Sequence, residues 1–198
     1  SFYQIPDKKT FTAWNDVTPK DFRFTLKGSR YITHMKKLRD PKEHVQRFLR
    51  AIEPLSEKTT CILWQLPGNQ HVDPDKLEAF CKVLSKDFIH VIEFRHASWF
   101  TEKTREILSN YKHMAGCSLS APDDLPEELL NINRVVYIRF HGKGRWYHHN
   151  YTKNELKSWA SRISKTDETD HLFAYFNNDA DAHAPENAGV FAAMIAKK

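Results

Sequence analysis

Cysteine and long apolar runs are scarce in this chain of 198 residues. The three cysteines, Cys61, Cys81 and Cys117, are odd in number and far apart, and no Cys-x-x-Cys pair occurs. This usage argues against a disulfide framework or a zinc site, and it predicts buried thiols in a protein of the reducing cytoplasm. No apolar run approaches the roughly 18 residues that span a membrane, so we expect no membrane role.

Several cofactor signatures are also missing. No Gly-x-Gly-x-x-Gly follows the first predicted strand, which argues against a dinucleotide-binding fold. The eleven histidines form no His-x-His or His-Glu-x-x-His motif. We therefore predict no cofactor, and we retain as an alternative a divalent metal held by Glu93, His141 and Asp123.

The charge of the chain is moderately basic, with a formal net charge of +5 and a pI near 9.0. Basic residues are spread along the sequence and do not form the dense patch of a dedicated nucleic-acid binder. This balance favours a small anionic or phosphate-bearing ligand as the partner, with nucleic acid as an alternative. It gives no indication of oligomeric state.

Segments with strand and helix patterns alternate along the chain. The predicted strands are 22–29, 60–67, 90–96, 115–120, 135–142 and 172–178. The predicted helices are 40–55, 73–84, 101–111, 152–163 and 180–196, with one helical turn at 126–130. Asp40, Asp73, Thr101 and Thr152 are candidate helix caps, and Pro185 is expected to kink the last helix. This alternation predicts a parallel sheet in one domain, residues 1–198.

Polar side chains recur on one face of the predicted strands, near their carboxyl ends. In the strand at 135–142, Ile138 and Phe140 alternate with Arg139 and His141. The same alternation on the other strands adds Lys27, Gln65, Glu93, Arg95 and Asn177. An active site of a (β/α) barrel lies at that end of its strands, so these residues are the candidate site.

Motifs along the whole chain resemble the YecE-like family, also described as domain of unknown function 72. They are SFY at 1–3, KGSRYITH at 27–34, WQLP at 64–67, EFRHASWF at 93–100, YIRFHG at 137–142, WYHHNYT at 146–152 and YFNND at 175–179. The resemblance implies an α/β, TIM-barrel-like parallel (β/α) fold. It also implies that the first strand, the first helix and most of the second strand are missing, so that about six strands are visible. The family's biochemical activity is not established, so the resemblance implies no reaction.

The candidate residues fall into two roles. Glu93 is the candidate general base, with a pKa lowered by nearby cations, and His141 is the candidate proton carrier. The ligand-binding candidates are Lys27, Arg30, His34, Gln65, Arg95, Arg139, Asn177, Trp99 and Tyr147. The cations among them suit phosphate or carboxylate, and the aromatic rings suit a base or sugar. The alternatives are a structural ion-pair network, a structural histidine and aromatic loop packing.

The leading functional hypothesis is an enzyme that acts on a phosphate-bearing substrate (a nucleotide, nucleic acid or phosphosugar) at the carboxyl ends of the strands. A sugar isomerase or hydrolase is a second enzymatic hypothesis, although hydrolysis calls for two facing carboxylates and only Glu93 is evident. A non-catalytic binding module is the third, and its ligand binding would survive Glu93→Gln.

Overall fold

The structure, a computed structural model, describes residues 3–122, 125–166 and 168–196. The chain divides into two compact units, Ser1–Ala115 and Gly116–Lys198. In each unit the strands pair in parallel, and helices connect most of them along the chain. The predicted α/β, TIM-barrel-like fold is therefore confirmed.

The first unit pairs its strands in chain order. Its strands are β1 (Phe24–Lys27), β2 (Thr59–Gln65) and β3 (Ile89–Glu93), with β2 parallel to both neighbours. Its helices are α1 (Lys8–Val17), α2 (Pro41–Ile52), α3 (Pro74–Val83) and α4 (Glu102–Ser109). Three shorter turns follow a π-helical path at Tyr31–Met35 and a 3₁₀ path at Glu53–Lys58 and Ala97–Trp99.

The second unit also pairs its strands in chain order, although the described residues between its first two strands form no helix. Its strands are β4 (Met114–Ser120, which enters this unit at Gly116), β5 (Val135–Phe140) and β6 (His171–Phe176). Its helices are α5 (Lys153–Ile163) and α6 (Ala184–Ala196). Strand β5 pairs in parallel with both β4 and β6.

Trp64 fills the space between sheet and helices in the first unit. Its ring is fully buried and lies 5.4 Å from the ring of Phe48 on α2 and 5.2 Å from that of Phe80 on α3. Its Nε1 donates a 3.0 Å hydrogen bond to Nδ1 of His90. Burial lowers the pKa of His90 to about 4, so this ring is the neutral acceptor that the indole needs. A Cβ added to Gly28 would lie 2.2 Å from the Trp64 ring, so only glycine fits against it.

The helix-facing side of β5 has the composition that its alternation predicts. Val136, Ile138 and Phe140 are buried in one cluster with Trp159 of α5 and Phe191 of α6. The opposite positions of β5 are thereby turned away from the helices.

The cysteines confirm one expectation. All three are buried and free of disulfides in the described part of the chain. Burial raises the pKa of the Cys61 thiol to about 11 and that of Cys81 to about 12, so neither is a reactive thiolate near neutral pH. Separately, no helix within the described ranges is both long and apolar enough to cross a membrane.

Most predicted helix caps are confirmed. Asp73 and Thr101 accept hydrogen bonds from the backbone of the first turn, and Thr152 with Glu155 forms a capping box. The prediction for Asp40 was wrong: its backbone is left-handed, with φ of 45°, and its carboxylate makes no capping hydrogen bond among the described residues. The cap geometry requires an extended backbone, which Asp40 lacks.

The prediction of a helical turn at 126–130 was wrong, because other parts of the unit form hydrogen bonds with the backbone groups of this segment. The Leu130 amide donates to the Ser118 hydroxyl at 2.8 Å, and the Glu127 carbonyl accepts from Arg162 at 2.9 Å. The segment is irregular as a result.

Two further helices differ from expectation, one in its start and one in being present at all. Helix α6 begins at Ala184, so Pro185 lies in its first turn, where proline is tolerated, and causes no kink there. Helix α1 was not predicted; its signals are the Asp7 cap and the contact of Phe11 with Trp14. Phe11 is its one buried residue among those described, which makes its pattern weak.

The contact of Gly28 with Trp64 predicts that Gly28→Ala destabilises the protein by about 3 kcal/mol, because the new methyl group overlaps a ring that cannot move. Urea unfolding measures this loss. Gly189→Ala is the matched control: Gly189 lies in α6 with no atom within 4 Å of an added Cβ, so a gain of about 0.5–1 kcal/mol is expected. Equal effects of the two changes would contradict the packing described for Trp64.

Candidate functional site

The predicted site residues divide between the two units. The first unit contains Lys27, Arg30, His34, Gln65, Glu93, Arg95 and Trp99. The second contains Arg139, His141, Tyr147 and Asn177.

The ends of β1, β2 and β3 bring polar side chains together on one face. The register of β2 on β3 sets Gln65 opposite Glu93. The ammonium group of Lys27, at the end of β1, donates a 2.7 Å hydrogen bond to Oε1 of Gln65. Trp64 lies on the helix-facing side of β2. Because successive side chains of a strand alternate between its faces, Gln65 lies on the other face. The structure thus brings Lys27, Gln65 and Glu93 together as the alternation predicted, and their role in ligand binding stays a prediction.

Glu93 is fully buried and ion-paired with Arg95. Its carboxylate accepts a hydrogen bond from Nε of Arg95, whose side chain is only 11% exposed. A carboxylate removed from water needs such a cation, since an unpaired buried charge costs several kcal/mol. The pair therefore has a structural role, whether or not it also acts on a ligand.

His34 lies within electrostatic reach of the same cluster. It belongs to the π-helical turn, and its Nδ1 is 2.9 Å from the hydroxyl of Thr33. Burial, and then the charges of Arg30, Lys27 and Arg95, lower the pKa of His34 to about 4, against a smaller opposing effect of Glu93. The ring is therefore neutral at pH 7 and offers one N–H donor and one acceptor.

We name Lys27, Arg30, His34, Glu93 and Arg95 the cation cluster. It combines three permanent cations with one carboxylate, which is already paired, and one neutral imidazole. Such a positive excess attracts an anion. Arg30 is exposed and Lys27 is half-buried, so both are open to solvent to some degree.

Trp99 is placed differently from its predicted role. The ring is fully buried, stacks on Phe94 with centroids 4.8 Å apart, and donates from Nε1 to the carbonyl of Gln70 at 2.7 Å. These contacts favour the loop-packing alternative over stacking on a ligand.

In the second unit, β5 presents Arg139 between two neighbours. The register sets Arg139 opposite Leu119 of β4 and Tyr175 of β6. On the same face, the rings of Tyr137 and Tyr175 stack with centroids 5.1 Å apart. Arg139 is half-buried beside this aromatic pair. The expected face is therefore confirmed, and a ligand-binding role for Arg139 stays a prediction.

His141 is almost fully buried after β5. Its backbone amide donates to the Ser120 carbonyl at 2.7 Å, and its carbonyl accepts from the Tyr147 amide at 2.7 Å. Tyr147 remains 44% exposed, with a left-handed φ of 69°. The backbone amide of Asn177 donates a 2.8 Å hydrogen bond to the Phe140 carbonyl of β5. Tyr147 is thus far more accessible to a ligand than His141.

A hydrogen-bond network that the sequence did not reveal holds this loop. The Tyr151 hydroxyl donates to Oγ of Ser120 at 2.9 Å and accepts from the Gly142 amide at 2.9 Å. Ser120 donates in turn to Glu127 at 2.9 Å, and Glu127 pairs with Lys143 at 3.2 Å. Burial raises the pKa of Tyr151 to about 12, so the phenol stays protonated. The one sequence signal was the position of Ser120 at a strand end.

The metal alternative involved Asp123, which lies outside the described residues. Within the described ranges, no group of three or more His, Cys, Asp and Glu side chains is arranged to hold a metal ion.

The buried pair predicts that Arg95→Met destabilises the protein by about 3–5 kcal/mol, because it removes the Arg95 cation from the buried Glu93 carboxylate. Chemical unfolding at pH 7 measures the loss. Lys103→Met is the control, since its pair with Glu106 is exposed and is worth less than about 1 kcal/mol. The double variant Glu93→Gln with Arg95→Met should regain part of the loss. Similar small losses for both single variants would contradict a structural role for the pair.

Comparison with known proteins agrees with this fold. The chain is similar over 99% of its length to a DUF72 family protein, TM1631, from Thermotoga maritima MSB8, with 27% identity, a TM-score of 0.82 and coverage of 82% of that chain. It also matches the DUF72 family protein EF0366 from Enterococcus faecalis V583, with 21% identity, a TM-score of 0.84 and coverage of 98% of this chain and 86% of that one. At that identity, the second likeness shows the fold alone. No curated protein matches the chain.

A family model described as "Protein of unknown function DUF72" matches residues 1–198. The match confirms the resemblance that the motifs indicated. The chain belongs to the DUF72 family.

Proposed function

We propose that the cation cluster binds the phosphate group of a small organic ligand, as the substrate site of an enzyme. The observation that carries this proposal is the pairing of Lys27 with Gln65 and of Arg95 with Glu93 at the carboxyl ends of parallel strands, together with the effect of the Arg30, Lys27 and Arg95 charges on His34. That end of the strands holds the active site in enzymes of the TIM-barrel type.

The chemistry of the cluster supports a phosphate group over a neutral ligand. Arg30 has a guanidinium that can form two parallel hydrogen bonds to phosphate oxygens, and Lys27 supplies a compact charge. Neutral His34 can add an N–H donor without adding charge. The cluster has three cationic side chains, Lys27, Arg30 and Arg95, and one carboxylate, Glu93, so it keeps a net positive charge.

In this proposal Glu93 is the proton acceptor, and it must exchange its contact with Arg95 to reach a ligand. A non-catalytic module for the same anion stays the alternative, and the two differ in whether bound ligand is turned over. The proposal uses residues of the first unit only; the roles of Arg139 and His141 stay predictions.

Arg30→Gln should weaken binding of inorganic phosphate and ribose 5-phosphate about ten-fold, because a charge-assisted hydrogen bond contributes roughly 1.5 kcal/mol. Isothermal titration calorimetry at low salt measures both dissociation constants. Arg30 is exposed, so its loss should leave the fold intact.

Arg23→Gln is the matched control. Arg23 is also an exposed arginine but lies just before β1, at the amino end of the strand. The Arg23→Gln variant should bind phosphate with the same affinity as the unchanged protein. Equal weakening in both variants would mean that only net charge matters, and no weakening in Arg30→Gln would remove the cluster as the phosphate site.

A further inference from the structure

The first unit contains a cavity that the sequence did not reveal. Its volume is about 280 Å³, and Ser29, Tyr31, His44 and Arg47 contribute to its lining together with the segment that precedes α1. These residues come from the connection after β1 and from α2. This volume is just below the range of small-molecule sites, about 300–1,000 Å³. A cavity of this volume can hold one ring system.

The cavity and the cation cluster share one short backbone segment. Lys27 ends β1, Arg30 follows three residues later, and Ser29 and Tyr31 on either side of Arg30 line the cavity. This segment is fixed by backbone hydrogen bonds. The Gly28 amide donates to the Leu63 carbonyl at 2.8 Å, and the Ile32 amide donates to the Ser29 carbonyl at 3.1 Å. The distance between the two features is therefore set by the fold.

The lining side chains have planar groups. Tyr31 is 40% exposed, and its ring meets His44 edge to face, with centroids 4.9 Å apart and planes at 77°. Arg47 lies three residues after His44 on α2 and is exposed. The ammonium group of Lys36 lies 5.8 Å from the centroid of the Tyr31 ring. A phenol, an imidazole and a guanidinium favour a flat, electron-rich ring as the ligand group.

We propose that the cavity binds the planar ring of an organic phosphate monoester whose phosphate lies at the cation cluster. This inference rests on the proposed function and adds the class of ligand. Tyr31 would contribute the stacking surface, and Arg30 would hold the phosphate on the same backbone segment.

The experiment compares AMP, ribose 5-phosphate, adenosine and inorganic phosphate by calorimetry on the purified chain. AMP should bind about ten-fold more tightly than ribose 5-phosphate, because a base stacked on an aromatic side chain contributes a factor of about that size. Tyr31→Leu should remove this advantage and leave ribose 5-phosphate binding unchanged. Tyr31→Phe keeps the ring and should retain the advantage, which separates stacking from any change in the fold.

The outcomes distinguish this inference from the proposed function. Equal affinity for AMP and ribose 5-phosphate, or an equal loss of both in Tyr31→Leu, would overturn the ring site and leave the phosphate site standing. Failure of all three phosphate compounds to bind would overturn both proposals. Binding of adenosine as tight as that of AMP would also overturn both, because the phosphate would then contribute nothing.

Discussion

The polar end of the sheet in the first unit depends on one buried charge. The Glu93 carboxylate has no exposure to solvent, so it requires Arg95 beside it, and both residues follow from their positions at the end of β3. Next to them, Gln65 and Lys27 pair at the ends of β2 and β1. A parallel sheet whose interior face is polar at one end is costly unless every group is satisfied. Because Lys27, Arg30 and Arg95 outnumber the one carboxylate of the cation cluster, the cluster keeps a positive charge that can attract an anion.

The opposite face of the same strands gives this arrangement its rigidity. The Trp64 ring packs against aromatic rings of two helices and donates a hydrogen bond to neutral His90. It also lies against Gly28. Gly28 begins the segment that carries Arg30 and Tyr31. Packing of Trp64 on the helix side thus fixes the start of the segment that carries the groups proposed to bind a ligand, which connects the core to the candidate function.

Strand periodicity and capping chemistry were sufficient to predict much of this fold. The alternation along β2 and β3 predicted that Gln65 and Glu93 lie on the face opposite Trp64, because successive side chains of a strand point to opposite faces. Sequence reasoning failed where distant segments decide the outcome. Ser118 and Arg162 take the backbone groups that a helix at 126–130 would need, and Phe94 covers Trp99. The cavity at Tyr31 and Arg47 combines three separate segments, so no local pattern could reveal it.

The most direct test is the pKa of His34, measured by NMR from its imidazole protons, with His34→Gln to assign the signal. The account predicts a pKa of about 4 in the free protein, because burial and three cations disfavour the imidazolium. Saturating phosphate should raise this pKa, since a bound anion offsets the cations. A pKa near the ordinary value of 6.5 that does not respond to phosphate would contradict both the cation cluster and its proposed ligand.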